Sequence, residues 1–216
     1  MATETILSID CANRWTCLGL WRDGPVGQME LNLGRRQAAQ LPLAVEALMN
    51  LAEFQLSGVT AVALTVGPGY FTALRIGLAY GSALAFALGV PVVPLSSLEV
   101  LARSFPADGL VVPLIAASRS RAFSGAWLHG RQVLEEAERS REELDAALSG
   151  FKEAKYLVAA ADERLFSEGD SGGITVIPSA SGTAAAGLGF ERREEAVSPG
   201  GIRARYLREP GLGRSV

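Results

Sequence analysis

Residues 66–75 read V-G-P-G-Y-F-T-A-L-R, and this stretch decides which fold the chain adopts. The apolar run before it, residues 59–66, predicts a buried β-strand, and residues 73–88 have the length and apolar content of a helix. The Gly-Pro-Gly turn lets the backbone leave the sheet sharply, and Thr72 is a suitable N-cap for the helix. Unpaired backbone N–H groups at the helix start favour an anion site at the sheet edge. The turn is not a Walker loop, because it has no Gly-Lys-Ser/Thr.

Strand and helix patterns continue on both sides of this turn. A plausible boundary at residues 105–109 separates two halves in which similar elements follow in a similar order. This order predicts an α/β fold of two lobes, residues 1–105 and 106–216, each with a mixed sheet. The predicted strands are residues 5–9, 15–22, 26–33, 59–66, 90–95, 110–116, 121–128, 131–138, 156–160 and 174–178, and the predicted helices are 36–56, 73–88, 97–104, 141–148 and 180–188.

Composition narrows the class of protein. Apolar residues make up 49% of the 216 residues, which excludes a disordered chain. With 20 basic and 23 acidic residues, the net charge of −3 draws the chain neither to nucleic acid nor to an anionic membrane. Cys11 and Cys17 are the only cysteines, as expected in a reducing compartment. The acidic start is unlike a signal peptide, and glycines and prolines break the uncharged stretch 76–98, so we expect a cytoplasmic protein.

Four stretches carry a resemblance to a known family: 6–10 (I-L-S-I-D), 66–79 (V-G-P-G-Y-F-T-A-L-R-I-G-L-A), 84–99 (L-A-F-A-L-G-V-P-V-V-P-L-S-S-L-E) and 206–208 (Y-L-R). They resemble the TsaB (YeaZ) family. The resemblance implies an actin-like ATPase fold of two ribonuclease-H-like lobes, each with a mixed five-stranded sheet and flanking helices. It also implies a non-catalytic scaffold subunit that is required for threonylcarbamoyladenosine modification of tRNA next to the anticodon. The implied partners are the catalytic paralogue TsaD and the ATPase TsaE, with a homodimer when the chain is alone and only indirect contact with tRNA.

A nucleotide site is the first candidate for chemistry. Asp10 ends the first strand, where an actin-like fold would place a carboxylate near phosphate and Mg²⁺, and Gly67, Gly69 and Thr72 complete the candidate set. The structural alternative is that Asp10 forms a simple turn and that the glycines serve the backbone alone. We therefore expect no cofactor, or weak binding of ATP or ADP with Mg²⁺ at the lobe or subunit interface.

The chain departs from the family pattern at positions that bear on this site. Tyr70 stands where the family usually has Ser, and Ala73 where it usually has Gly. In the second lobe, Ala117 and Ala122 replace the usual Asp and Glu. The loss of a carboxylate removes a group that could hold Mg²⁺ against a nucleotide, which weakens the expectation of nucleotide binding.

Catalytic motifs are weak. His129 is the only histidine and falls in a predicted turn, so the pair of histidines that a TsaD-like metal site needs is missing, and we predict no metal site. Residues 169–173, G-D-S-G-G, spell a serine-protease motif but also suit a polar loop, which we prefer. We predict no catalytic residue. The alternative is an actin-fold ATPase or kinase, or a glycoprotease-like hydrolase, that acts on its own.

The two long helices indicate a partner surface. Residues 41–54 show only a narrow polar stripe, and small residues recur every fourth position from Ala73 to Gly89 as a smooth ridge. The alternative is that elements of the same chain cover both helices. The C-terminal tail is basic, and two interpretations are open: contact with RNA, or a solvated or internally paired tail. Its basic residues are Arg203, Arg205, Arg208 and Arg214. The predicted interface comprises Leu41, Val45, Leu48, Ala52, Ala73, Gly77, Tyr80, Gly81, Leu84 and Ala85.

Overall fold

Two five-stranded mixed sheets form the framework of the protein. The structure, a computed structural model, describes residues 3–161, 163–166 and 173–207. In the first sheet the strand order is β3-β2-β1-β4-β5. Strand β2 pairs antiparallel with both β1 and β3, and β4 pairs parallel with both β1 and β5. Its elements are β1 (Thr5–Asp10), β2 (Trp15–Arg22), β3 (Pro25–Asn32), α1 (Gln37–Leu51), β4 (Ala61–Gly67), α2 (Phe71–Leu88), β5 (Val92–Ser96) and α3 (Ser97–Arg103).

The second sheet repeats the topology of the first. Its strand order is β10-β9-β6-β7-β8, which, read from the opposite edge, is the order of the first sheet with five added to each strand number. The shared order of elements that the sequence predicts is therefore a shared topology. The elements are β6 (Leu110–Ala116), β7 (Arg121–Leu128), β8 (Arg131–Ser140), α4 (Arg141–Leu148), β9 (Lys155–Ala160), β10 (Ile174–Ile177) and α5 (Gly182–Glu191).

The first sheet is covered on both faces. Successive side chains of β1 point to opposite faces, so Leu7 and Ile9 pack with residues of α1 and α2. Ile6 packs on the opposite face with residues of α3 and α5. The central strands β1 and β4 are buried along their whole length. Such burial explains why β4 reads as a nearly continuous apolar run rather than as an alternating pattern.

The C-terminal part of the chain returns to the first sheet. Helix α5 packs on β1 and β2, where the Ser8 hydroxyl donates a hydrogen bond of 2.8 Å to the carbonyl oxygen of Gly182. Further along, Val197 forms a bridge with Val92, and the Arg205 amide donates to the carbonyl oxygen of Val66. Helix α5 and the residues after it thus follow the predicted boundary at residue 105 in sequence but pack against the first sheet. The division into lobes 1–105 and 106–216 remains a prediction.

Some helix ends differ from the predicted ones. Helix α2 begins at Phe71 with Tyr70 as its N-cap, so the prediction that Thr72 caps the helix is wrong. Helix α1 ends at Leu51 rather than at residue 56, and Glu53 has a left-handed φ of 52° just beyond that end. Gly89 caps α2 with a left-handed φ of 69°. By length and composition alone α2 is apolar enough to span a membrane, but core helices of soluble proteins share this property.

Candidate functional site

Asp10 is enclosed at the carboxyl edge of the first sheet. Only 4% of the residue is exposed, and its Oδ1 accepts hydrogen bonds of 2.8 Å from the Ala12 amide and from the Thr65 hydroxyl. Burial raises the pKa of the carboxyl above its ordinary value, although these two hydrogen bonds lower it in part. The carboxylate therefore shapes the turn after β1, as the structural alternative proposed.

The Gly-Pro-Gly turn is packed against the chain's own backbone. A Cβ atom on Gly69 would lie 2.3 Å from the carbonyl oxygen of Ala12, and one on Gly67 would lie 2.4 Å from that of Arg205. Gly67 also has a φ of 122°, which side-chain-bearing residues rarely adopt. Carbonyl oxygens are hydrogen-bond acceptors, so they offer a phosphate group no donor at these two points.

Tyr70 and Glu163 join the two sheets at their carboxyl edges. The Tyr70 hydroxyl donates to Glu163 Oε2 at 3.3 Å, and the Ala116 amide at the end of β6 donates to the same oxygen at 2.9 Å. Burial raises the pKa of Glu163 and, together with the nearby carboxylate, raises the pKa of Tyr70 to about 12. Sequence reasoning missed Glu163, because it lies 93 residues from Tyr70 in a segment with no recognisable motif.

A cleft of about 750 Å³ opens beside the start of α2. Thr72 lines it, and it is the only one of the four predicted nucleotide residues among the described lining residues. Arg14 and Arg35 also line the cleft, and no acidic residue does among those described. Asp10, Gly67 and Gly69 are not among its described lining residues. The structure therefore places only Thr72 of the predicted set on this cleft, and nucleotide binding stays a prediction.

The other positions that bear on the predicted chemistry lie at different places in the second sheet and its loops. His129 is exposed in the turn between β7 and β8, as predicted, with a left-handed φ of 49°. Ala117 follows the end of β6, and Ala122 is fully buried in β7. Within the described part of the chain, no group of three His, Cys, Asp or Glu side chains is placed to hold a metal ion. Residues 169–172 of the G-D-S-G-G motif, and Arg208 and Arg214 of the tail, lie outside the described residues.

Most of the predicted partner interface is core, which corrects the interpretation of the small-residue ridge. The ridge faces the first sheet, because a Cβ on Gly77 would lie 3.0 Å from Cys11 Cβ and one on Gly81 would lie 2.3 Å from Leu64 Cδ2. Ala52, Tyr80 and Leu84 are half-buried. The predicted interface residues that the chain itself buries are Leu41, Val45, Leu48, Ala73, Gly77, Gly81 and Ala85.

The opposite sides of α1 and α2 carry exposed apolar side chains. We call this region, defined by Leu43, Leu51, Ala79, Ala83 and Phe86, the outer helix surface. Leu51 and Phe86 are each 79% exposed and Leu43 is 56% exposed, and the two helices are in contact. Large exposed apolar side chains on two adjacent helices make this surface the candidate interaction site. The sequence indicates these two helices but not this face of them.

Comparisons with known proteins agree with this architecture. A family model described as "TsaD: tRNA N6-adenosine threonylcarbamoyltransferase" matches residues 32–186. The TsaB protein of Bacillus subtilis is 31% identical over 136 residues, which are 61% of this chain and 58% of that protein. The TsaB protein of Escherichia coli is 30% identical over 98 residues, which are 45% of this chain and 42% of that protein. The match spans about half the length of these curated relatives.

Solved structures extend the likeness to nearly the whole chain. A crystal structure from Pseudomonas aeruginosa, described as an uncharacterized protein with similarity to peptidase YEAZ, has a TM-score of 0.76 and 25% identity. The alignment covers 95% of this chain and 100% of the Pseudomonas aeruginosa chain. The structure titled YeaZ from the same organism has a TM-score of 0.74 and 23% identity, covering 94% and 100%, and supports the fold.

The class of protein follows from the two sheets of equal topology that meet at their carboxyl edges. This is the actin-like fold of two ribonuclease-H-like lobes, as predicted. The chain belongs to the TsaD-like family that the model describes, as a member of its TsaB (YeaZ) group.

Proposed function

We propose that the chain is a non-catalytic scaffold subunit in the biosynthesis of threonylcarbamoyladenosine in tRNA, and that it binds and activates a TsaD-like paralogue. The names of the relatives support the pathway. The scaffold role rests on the outer helix surface. Leu51 and Phe86 are exposed there, and burial of these apolar side chains by a partner is favourable. Two adjacent helices of 15 and 18 residues can supply the roughly 800 Å² that a standard interface buries on each partner.

Several features support the absence of catalysis by the chain itself. The sequence has one histidine, His129, which is exposed in a hairpin turn far from the sheet edge. Asp10 already accepts two hydrogen bonds within the chain. A purified protein that hydrolyses ATP at a rate abolished by Asp10→Asn would favour the alternative, an actin-fold ATPase or kinase. Turnover of peptides or of threonylcarbamoyl-adenylate would likewise favour an enzyme.

The proposal includes the wider assembly. The TsaD-like paralogue binds the outer helix surface, a TsaE-like ATPase joins the larger complex, and tRNA contacts the paralogue rather than this chain. The assembly is cytoplasmic, which accords with a chain whose two cysteines, Cys11 and Cys17, are buried and form no disulfide. When the paralogue is missing, a second copy of the chain covers the same surface.

Binding to the TsaD-like paralogue of the same organism tests the proposal. The double variant Leu51→Glu/Phe86→Glu should weaken the complex at least about 100-fold in calorimetric titration, because each carboxylate would have to lose water in the interface. Val176→Glu is the matched control, since Val176 is 64% exposed on β10 of the other sheet and should leave the affinity unchanged. Wild-type affinity of the double variant, with normal folding by circular dichroism, would place the interface elsewhere.

A further inference from the structure

Glu163 collects hydrogen-bond donors from three separate parts of the chain. The Ala116 amide lies at the end of β6, the Tyr70 hydroxyl at the start of α2, and the Asn13 side chain in the loop after β1. Two of these three donors belong to the first sheet or its loops, and one belongs to the second sheet. One carboxylate therefore connects the carboxyl edges of both sheets.

The position of this carboxylate is where an anionic ligand would be held in such a fold. Ligands of open α/β sheets bind outside the carboxyl ends of the strands. The Ala116 amide extends past the last paired residue of β6 on the β9 side, Leu114, so it has no strand partner there. A free amide at a strand end is a typical donor to a bound anion, and here it donates to a side chain of the same protein.

The carboxylate is held by neutral donors. No ion pair to Glu163 occurs among the described residues, and its contacts are an amide, a phenol and a carboxamide. These hydrogen bonds offset part of the cost of burying the charge, although burial remains the larger effect on the pKa of Glu163. The contribution of each bond is larger where water is scarce.

We propose that the Glu163 carboxylate acts as a built-in anion that fills the space between the two sheets and ties their carboxyl edges together. An external phosphate or carboxylate can occupy that space only by displacing Glu163. This role gives Tyr70, which stands where the family usually has Ser, a function as the donor that reaches across from the first sheet. The inference is independent of the proposed partner, because it concerns contacts within one chain.

Replacement of the side chain by a free anion tests the proposal. Glu163→Ala removes a group equal in shape to acetate and leaves the Ala116 and Tyr70 donors unpaired. We expect the midpoint of thermal unfolding to fall by about 4–8 °C at about pH 7. Sodium acetate at about 0.2 M should restore at least half of this loss, whereas sodium chloride at the same concentration should not. Glu163→Gln keeps an acceptor oxygen, so its midpoint of thermal unfolding should fall less than that of Glu163→Ala. Acetate should raise the midpoint of Glu163→Gln no more than chloride does.

Equal recovery in acetate and chloride would overturn the proposal. A second measurement covers the case in which Glu163→Ala does not fold. Hydrogen exchange of the Ala116 amide in the folded wild type and in Glu163→Gln should be slow, because in both proteins a side-chain oxygen at position 163 accepts the hydrogen bond from this amide. Rapid exchange of that amide in the wild type, beside protected neighbours in β6, would show that the bond is not formed.

Discussion

A Cβ atom placed on Gly81 would lie 2.3 Å from Cδ2 of Leu64, so α2 meets β4 there with no room for a side chain. This relationship shows which side of α2 faces the sheet. A charged residue at this position would disturb the core of the isolated chain before it disturbed any interface.

Gly81→Ala should destabilise the protein even though Ala favours helices. The added methyl group must displace Leu64 or the helix, which typically costs about 1–3 kcal/mol. Urea denaturation measures the change in the free energy of unfolding. Gly150→Ala is the control, because a Cβ there meets nothing within 4 Å, and it should change stability by less than about 0.5 kcal/mol. A neutral or stabilising effect of Gly81→Ala would mean that α2 does not pack on β4 as described.

The isolated chain should self-associate through the outer helix surface. Leu43, Leu51 and Phe86 expose apolar area that a second copy can cover, and burial of such area stabilises the dimer. Analytical ultracentrifugation over a range of concentrations should show the wild type and Val176→Glu as dimers, and Leu51→Glu/Phe86→Glu as a monomer. Addition of the TsaD-like paralogue should replace the dimer by the mixed complex. A double variant that remains dimeric would contradict this prediction.

Arg205 should stabilise the protein through the buried carboxylate of Glu136. Their ion pair measures 2.9 Å, and the Glu136 side chain is 2% exposed while that of Arg205 is 48% exposed. Arg205→Ala leaves the carboxylate buried without its cation and should cost about 1–3 kcal/mol, a value discounted for the exposure of Arg205. Arg203→Ala is the matched control, because the hydrogen bonds of Arg203 go to nearby backbone carbonyls.

A second substitution separates the ion pair from other roles of Arg205. Adding Glu136→Gln to Arg205→Ala removes the unpaired charge and should recover part of the lost stability in urea denaturation. Additive losses from the two substitutions would show that the pair does not couple.

Glu163 should make stability depend on pH in a defined direction. Burial raises the pKa of its carboxyl above 4.5, the ordinary value, so the folded protein holds this proton at pH values where the unfolded chain has released it. The contribution to stability is therefore complete below about pH 4.5 and is lost as the pH rises through the folded-state pKa. Glu163→Gln carries no such proton. We expect the melting temperature of the wild type, relative to this variant, to fall as the pH rises from about 4 to about 8.

Asp10 has a raised pKa in the same direction, but it is present in both proteins and cancels in the comparison. A difference between wild type and Glu163→Gln that stays constant with pH, or that increases, would contradict the shift. Differential scanning fluorimetry at equal ionic strength is sufficient for this measurement.

Local patterns were enough for most of the elements and for the fold class. The apolar run before the Gly-Pro-Gly turn and the small apolar residues after it predicted β4 and α2, since each depends on neighbours in sequence. The turn at His129, with left-handed φ values at His129 and Gly130, followed from the strand patterns on both sides. The same local reasoning placed Thr72 at the helix cap wrongly, because helix ends shift by one or two residues with the packing around them.

Tertiary structure alone decided which face of each helix is free. Helix α2 is almost wholly apolar and α1 has only a narrow polar stripe, so their periodicity does not show how wide a face of each helix is exposed. Orientation came instead from contact with the sheet, where Gly81 meets Leu64 and leaves Phe86 outside. The contacts of Tyr70 with Glu163 and of Arg205 with Glu136 join residues that are 93 and 69 positions apart. Such pairs form because chain topology brings two sheet edges together, and no local pattern in the sequence records that approach.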